Sequence, residues 1–293
     1  MTNDSLLRAL VRLARPHQWV KNGFVLVGLL FGHRWGDAAL VGRVALSFVA
    51  FSLASSAVYV TNDILDREVD RRHPEKRKRP IASGLVRPGL AAVVGCILAA
   101  AALALAAKVS LTAVAIIACY AVINLVYSLG AKNVVILDVF IIAAGFMLRI
   151  LAGTIGVGIE PSRWLLLCGL MVTLFLGFAK RRAEGLALAD GAPQHRRTLE
   201  DYDPAFLDNM ISVCAAGVLV TYSLYTVDPG TIALHRTDKL IYTVPFVLYG
   251  LFRYLFLLHR CGGAGDPSSD LLRDPHLAAT AVGWLAMVVL LLF

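Results

Sequence analysis

Charge is scarce in this 293-residue chain: 16% of its residues are Asp, Glu, Lys or Arg, 58% are hydrophobic, and the mean hydropathy is +0.71. A soluble domain needs far more polar surface than that, so a soluble class is excluded and a polytopic membrane protein is expected. Acids are scarcer than bases, 20 against 28. The resulting net charge of +8 does not point to nucleic acid, because the cations cluster in alternate loops between apolar runs rather than along one soluble face. Cysteine is sparse and unpaired in spacing (Cys96, Cys119, Cys168, Cys214, Cys261), which excludes a disulfide framework or a thiolate metal site. A small-residue cleavage site is missing after the first apolar run, so that run is expected to be retained. No obvious nucleophile stands beside a general base.

Long apolar windows are abundant. Nine can be drawn, near residues 18–34, 40–62, 89–107, 110–128, 134–156, 163–183, 208–227, 239–258 and 277–293, each of about the length that crosses a hydrocarbon core. The expected fold is all-α, a single membrane domain over residues 1–293 with about nine transmembrane helices. With the N-terminus in the cytoplasm, 20 Lys and Arg fall on the inner side and 6 on the outer. That bias supports N-in, C-out by the positive-inside rule, and the expected location is the inner (plasma) membrane. The loops after spans two, four, six and eight then share the cytoplasmic face, where the active site is expected. Arg149 and Arg253 remain inside spans, where a charge is costly and faces the bundle interior or water.

The first of those loops, residues 62–80, carries the strongest chemistry. Asp63, Asp66 and Asp70 stand at i, i+3 and i+7, and on a helix they share one face within about 60°. A basic stop signal explains Arg77, Lys78 and Arg79 but not these acids, which contribute little to topology. Such a face calls for a divalent cation, and Mg2+ bridging to phosphate oxygens is the natural one. Pro74 and Pro80 should end the helix near His73. The chain can then fold back and bring Lys76 and Arg79 to phosphates held by the acids. His73, at i+3 from Asp70, reads as a helix-end cap before it reads as a chemical group.

The other loops are weaker taken singly. Tyr127, Ser128, Lys132 and Asn133 sit at a span junction, where Tyr and Lys are commonly interfacial anchors. Asp138 and Arg149, three turns apart on one helix face, are read as pairing through the cavity or a bound anion. Lys180 and Glu184 are spaced as an ordinary ion pair beside Arg181. The polar stretch 195–202, ending at Tyr202, reads as either a cavity lid or a surface helix. Asp266, Asp270 and Asp274 suit a soluble turn as well as a site.

Together these residues resemble the UbiA superfamily of intramembrane prenyltransferases, nine-helix bundles whose first motif, N-D-x-x-D-x-x-x-D, is matched by Asn62, Asp63, Asp66 and Asp70. A branch whose members move a phosphoribosyl group is more similar still. That likeness rests on Arg15-Pro16-His17-Gln18-Trp19-Val20-Lys21-Asn22, on the His73-Pro74-x-Lys76-x-x-Arg79-Pro80 extension, on Asp138-Val139 through Arg149, and on Lys180-Arg181-x-x-Glu184. Aromatic prenyltransferases carry a second D-x-x-x-D after span six, where Lys180 and Glu184 stand here. A Y-x-x-x-K element is only approximated by Tyr127 and Lys132. Both departures point away from a prenyl diphosphate donor and toward one richer in phosphate.

The resemblance implies a Mg2+-dependent transfer of 5-phosphoribose from phosphoribosyl pyrophosphate to a polyprenyl (decaprenyl) phosphate, a step toward lipid-linked arabinose for the cell wall. It makes Asp63, Asp66 and Asp70 metal ligands and the catalytic set. Lys21, Asn62, Lys76, Arg79, Tyr127, Lys132, Asp138, Arg149, Lys180, Arg181, Glu184 and Tyr202 are the expected substrate-binding residues. The acceptor's oxygen is already anionic, so no general base is needed. A homo-oligomer is compatible with the sequence. An aromatic prenyltransferase remains the alternative. A transporter, or a lipid-binding scaffold, is the alternative of another class, although a transporter predicts polar groups toward both faces and repeated halves.

Overall fold

The structure, a computed structural model, describes residues 3–32, 34–74, 76–189, 201–261 and 274–292, and every regular element among them is helical. Among the described residues, eight helical stretches are long and apolar enough to cross a membrane: Ala38–Leu65, Pro88–Val109, Leu111–Leu129, Leu137–Val157, Arg163–Leu186, Pro204–Val227, Lys239–Arg260 and Pro275–Leu292. They coincide with eight of the nine expected windows, because length and hydrophobicity carry most of that signal.

The first window differs in form: within 18–34 the chain is not one regular α-helix but a 3-10 helix over Pro16–Leu26 followed by a five-residue α-helix, Val27–Phe31. Asn22 explains part of this, since it is fully buried and its amide donates to Ser52 Oγ (3.0 Å) and Ser55 Oγ (3.3 Å). Glycine explains the rest. Gly28 and Gly153 let two backbones touch, and a Cβ on Gly153 would lie 1.7 Å from the Val25 carbonyl oxygen. Both demands tie the segment to its neighbours rather than to a regular α-helix of its own.

Contacts divide the chain into two compact units, Met1–Lys132 with Leu148–Pro161, and Asn133–Met147 with Ser162–Phe293. The α-helices are labelled α1 (Asn3–Ala14), α2 (Val27–Phe31), α3 (Ala38–Leu65), α4 (Arg67–Arg72), α5 (Pro88–Val109), α6 (Leu111–Leu129), α7 (Leu137–Ala152), α8 (Arg163–Ala189), α9 (Pro204–Val227), α10 (Pro229–His235), α11 (Val244–Cys261) and α12 (Pro275–Leu292).

In the first unit α3 is the central helix, packed against α5, α6, α1 and the 3-10 segment. It starts on Asp37, whose side chain accepts from the Leu40 amide, and α6 starts in the same way on Ser110. Phe51, Ala54, Ala106, Ile117 and Tyr120 fill its core. A smaller cluster of Ala9, Leu13, Val60, Ile81 and Ala91 seats α1 against the end of α3 and the start of α5. In the second unit α8 packs along α9, and α11 packs against α12. The core there is Val139, Phe175, Phe178, Ile211 and Tyr254.

Candidate active site

The acidic motif lies where α3 gives way to α4. Asp66 sits at the junction with φ −88° and ψ 4°, yet its amide still donates to the Asn62 carbonyl and its own carbonyl accepts from the Asp70 amide, both at 2.8 Å. The helical register therefore carries through, which keeps the three acids on neighbouring turns. Asp63 and Asp70 are buried, while the Asp66 side chain is 36% exposed. α4 ends at Arg72 with His73 as its C-cap, as the two prolines predict, and the His73 ring accepts from the Lys76 amide.

Three cations converge on these acids. Arg79, carried back by the turn after Pro74, places Nη1 3.1 Å from Asp63 Oδ1 and 2.7 Å from Asp70 Oδ2. Arg15 reaches the same Asp63 oxygen at 2.5 Å and lies over the Tyr59 ring. Lys132 bonds Asp66 Oδ1 at 2.7 Å, and Ser128 donates to Asn62 Oδ1 at 2.5 Å, so the end of α6 closes on the motif. The fold-back of Arg79 follows the expectation. Lys76 belongs to the same turn, in a short 3-10 helix over Lys76–Lys78, while Lys21 and Tyr127 are half-buried in the 3-10 segment and in the last turn of α6.

Arg15 and Ser128 are the residues sequence reasoning left out of the site. Arg15 reads as one more N-terminal topogenic cation. Its signal is the Pro16 that follows and ends α1, leaving Arg15 in the left-handed backbone region at φ 51° with its side chain turned toward α3.

One oxygen is left over. Asp63 Oδ2 is buried and has no hydrogen-bond partner among the described residues. Nor, among those residues, do three His, Cys, Asp or Glu side chains gather closely enough to ligate one ion. Magnesium does not require such a group, since one or two carboxylates suffice when a phosphorylated substrate supplies the other oxygens. The available carboxylate oxygen and the exposed Asp66 fit that mode of binding.

Arg149 lies deeper in the same unit. It is 5% exposed, donates from Nε to Asn22 Oδ1 (2.8 Å) and from Nη2 to Tyr120 Oη (3.2 Å), and stacks over the Phe51 and Tyr120 rings, each at 5.0 Å. Asp138, expected to pair with Arg149 through the cavity or a bound anion, has protein partners of its own. Asp138 belongs to the second unit, where its Oδ2 accepts from Arg181 Nε (2.7 Å) and its Oδ1 from Tyr202 Oη (2.7 Å). Eleven residues along a helix is about 16 Å of rise, too far for direct contact.

The second unit thus holds its own polar network. Arg181 is 2% exposed and also donates to Glu184, so its guanidinium is committed to two carboxylates. Tyr202 accepts from the Ile136 amide at 2.7 Å while donating to Asp138. Burial and the Asp138 bond hold its phenol above the usual tyrosine range. Ile136 has φ 69°, an uncommon conformation for a β-branched residue, and the Tyr202 contact stabilises it there. Lys180 is half-buried beside this network. Of the polar stretch 195–202, only Asp201 and Tyr202 fall within the described residues, and Asp266 and Asp270 lie outside them. Asp274 is described, and it holds Arg253 through Oδ2 at 2.7 Å.

Comparison with known proteins gives a consistent picture. The model of the UbiA prenyltransferase family matches residues 23–268. Two relatives named decaprenyl-phosphate phosphoribosyltransferase, from Corynebacterium glutamicum and Mycobacterium tuberculosis, are each 33% identical. The first match covers 99% of this chain and 88% of the relative, the second 97% and 94%. Among solved structures, a UbiA homolog from Archaeoglobus fulgidus bound to GPP and Mg2+ superposes with a TM-score of 0.71 at 18% identity, covering 96% of this chain and 97% of that one. An apo UbiA homolog from Aeropyrum pernix superposes with a TM-score of 0.63 at 14% identity, covering 91% and 97%.

Proposed function

This chain belongs to the UbiA prenyltransferase family, and from that premise we propose that it transfers 5-phosphoribose from phosphoribosyl pyrophosphate to a polyprenyl phosphate. The observation that carries the donor assignment is the near full-length likeness to relatives named for that reaction. The geometry supplies the chemical reason. Arg15, Arg79 and Lys132 stand against the acids of one motif. A site with that many guanidinium and ammonium donors suits a ligand with a diphosphate and a further phosphate.

In this reading Asp63 and Asp66, supported by Asp70 and Asn62, would hold Mg2+. When bound there, the ion neutralises charge on the leaving pyrophosphate as a Lewis acid. Arg79 and Arg15 exchange their carboxylate partners for phosphate oxygens, and Lys76 and Lys21 add further phosphate contacts. Lys132, released from Asp66, and Tyr127 would orient the acceptor phosphate, and Arg149 adds positive charge at depth.

An acceptor oxygen attacks C1 of the ribose, the bond from C1 to the pyrophosphate oxygen breaks, and pyrophosphate leaves with the electron pair. The acceptor is already ionised, so no side chain has to remove a proton. Asp138 and Glu184 hold Arg181, Tyr202 holds Asp138, and this group keeps the backbone around Lys180 and Ile136 in place. The active site is assigned to the cytoplasmic face of the plasma membrane, with the N-terminus on the same side.

Purified protein given labelled phosphoribosyl pyrophosphate and polyprenyl phosphate should form a labelled lipid. If no such lipid forms while a prenyl diphosphate is consumed with an aromatic acceptor, the donor assignment is wrong.

A further inference from the structure

The N-terminal helix α1 has two faces, and only one is used by the fold. Ala9 and Leu13 are buried, with Leu6 and Leu10 partly so, against Val60, Ile81 and Ala91. On the opposite arc Leu7 is 63% exposed and Val11 53% exposed, and Arg8 and Arg12 are exposed beside them. At about 100° per residue, Leu7 and Val11 form one row and Arg8 and Arg12 a second row about a quarter turn away. α1 is too short to span a membrane, yet it packs at the ends of two spanning helices, since Val60 is in the last turns of α3 and Ala91 in the first turn of α5. An apolar row flanked by a cationic row at that level is the pattern of a helix lying in a lipid interface, with the apolar side chains among acyl chains and the guanidiniums among phosphates.

We infer that the exposed face of α1 is a docking surface for anionic lipid headgroups. The occupant follows from charge complementarity and from the level of the helix. A neutral headgroup would satisfy Leu7 and Val11 but give Arg8 and Arg12 no net counter-charge. The surface also bears on the acidic motif. α1 ends at Ala14, whose carbonyl accepts from Ser56 Oγ at 2.7 Å, and the next residue, Arg15, bonds Asp63. A helix seated on lipid therefore holds in place the residue that meets Asp63.

The test is photocrosslinking in the full-length protein, with benzoylphenylalanine introduced at Leu7 and the chain reconstituted into nanodiscs of phosphatidylcholine with a minor share of phosphatidylglycerol. The surface predicts lipid adducts in which the ratio of phosphatidylglycerol to phosphatidylcholine exceeds that of the bilayer, by about fivefold for each arginine at low salt. Replacing both arginines (R8Q with R12Q) should return the adducts to the bilayer composition while leaving lipid capture at Leu7. High salt should do the same. Adducts that follow bilayer composition in the unaltered arginine background would overturn the inference. So would crosslinks to a second copy of the chain, or the absence of lipid adducts. The readout needs no turnover, so it stands or falls separately from the donor assignment.

Discussion

Arg79 is the hinge of the acidic motif, and replacing it by alanine gives a result with a worked magnitude. Its Nη1 is shared between Asp63 Oδ1 at 3.1 Å and Asp70 Oδ2 at 2.7 Å, and the Asp70 side chain is only 3% exposed. Removing one partner of a buried pair costs about 3–5 kcal/mol, because the other charge stays buried. The Arg79 side chain keeps 30% exposure, so water screens part of this, and about 2–3 kcal/mol is expected. Thermal unfolding in a fixed detergent would measure it.

The same change removes a charge-assisted phosphate contact worth about 1.5–3 kcal/mol, a loss of about ten- to a hundredfold in kcat/KM for phosphoribosyl pyrophosphate. Arg79→Lys keeps the charge but not the planar fork. It should recover stability more fully than kcat/KM. The reasoning is refuted if Arg79→Ala leaves both the unfolding midpoint and kcat/KM unchanged, since then neither the acids nor the donor depends on the guanidinium.

Three further results are expected. Gly153→Ala puts a Cβ 1.7 Å from the Val25 carbonyl oxygen and should lower stability by at least about 3 kcal/mol, whereas Gly23→Ala, with nothing within 4 Å of the added carbon, should not; paired unfolding curves compare them. Tyr202→Phe deprives the Ile136 amide and Asp138 of their shared partner, at a cost of about 2 kcal/mol, and adding Ile136→Gly should recover part of it because φ 69° is easy for glycine. The Arg253 bond holds the Asp274 carboxyl down to about 2, below the usual value of about 3.9. Its folded-state pKa being the lower one, its stabilisation is complete above about pH 4 and fades as pH falls through 2. The stability gap between the parent and Asp274→Asn, followed by unfolding at stepped pH, should narrow over that window.

Most of the fold is legible in the sequence, because the solvent being matched is a slab of fixed thickness and eight apolar windows of the right length have few alternatives. The first window departs from a regular α-helix for an equally physical reason. Lys21, Asn22, Gly23 and Gly28 fall inside it, and the amide of Asn22 and the missing Cβ of Gly28 serve contacts with other segments that hydropathy cannot register. The acidic motif is legible as chemistry, and the prolines after it foretell the fold-back of Arg79. Arg15 is hidden, since a cation near the N-terminus looks topogenic until the left-handed turn before Pro16 is seen. Spacing on one helix says which face Asp138 and Arg149 share and not which residues from elsewhere reach them. Each has nearer partners, Arg181 and Tyr202 for the first, Asn22 and Tyr120 for the second.

The central claim is that the ribose 5-phosphate moves and the pyrophosphate does not. Phosphoribosyl pyrophosphate labelled with 32P either on the 5-phosphate or on the β-phosphate, incubated with the protein, Mg2+ and polyprenyl phosphate, separates the possibilities directly. The account predicts lipid-soluble label from the 5-phosphate donor and water-soluble pyrophosphate from the β-labelled one, both abolished by Asp66→Asn in a protein that still folds. Label from the β-phosphate in the lipid, or unchanged transfer by Asp66→Asn, would contradict it.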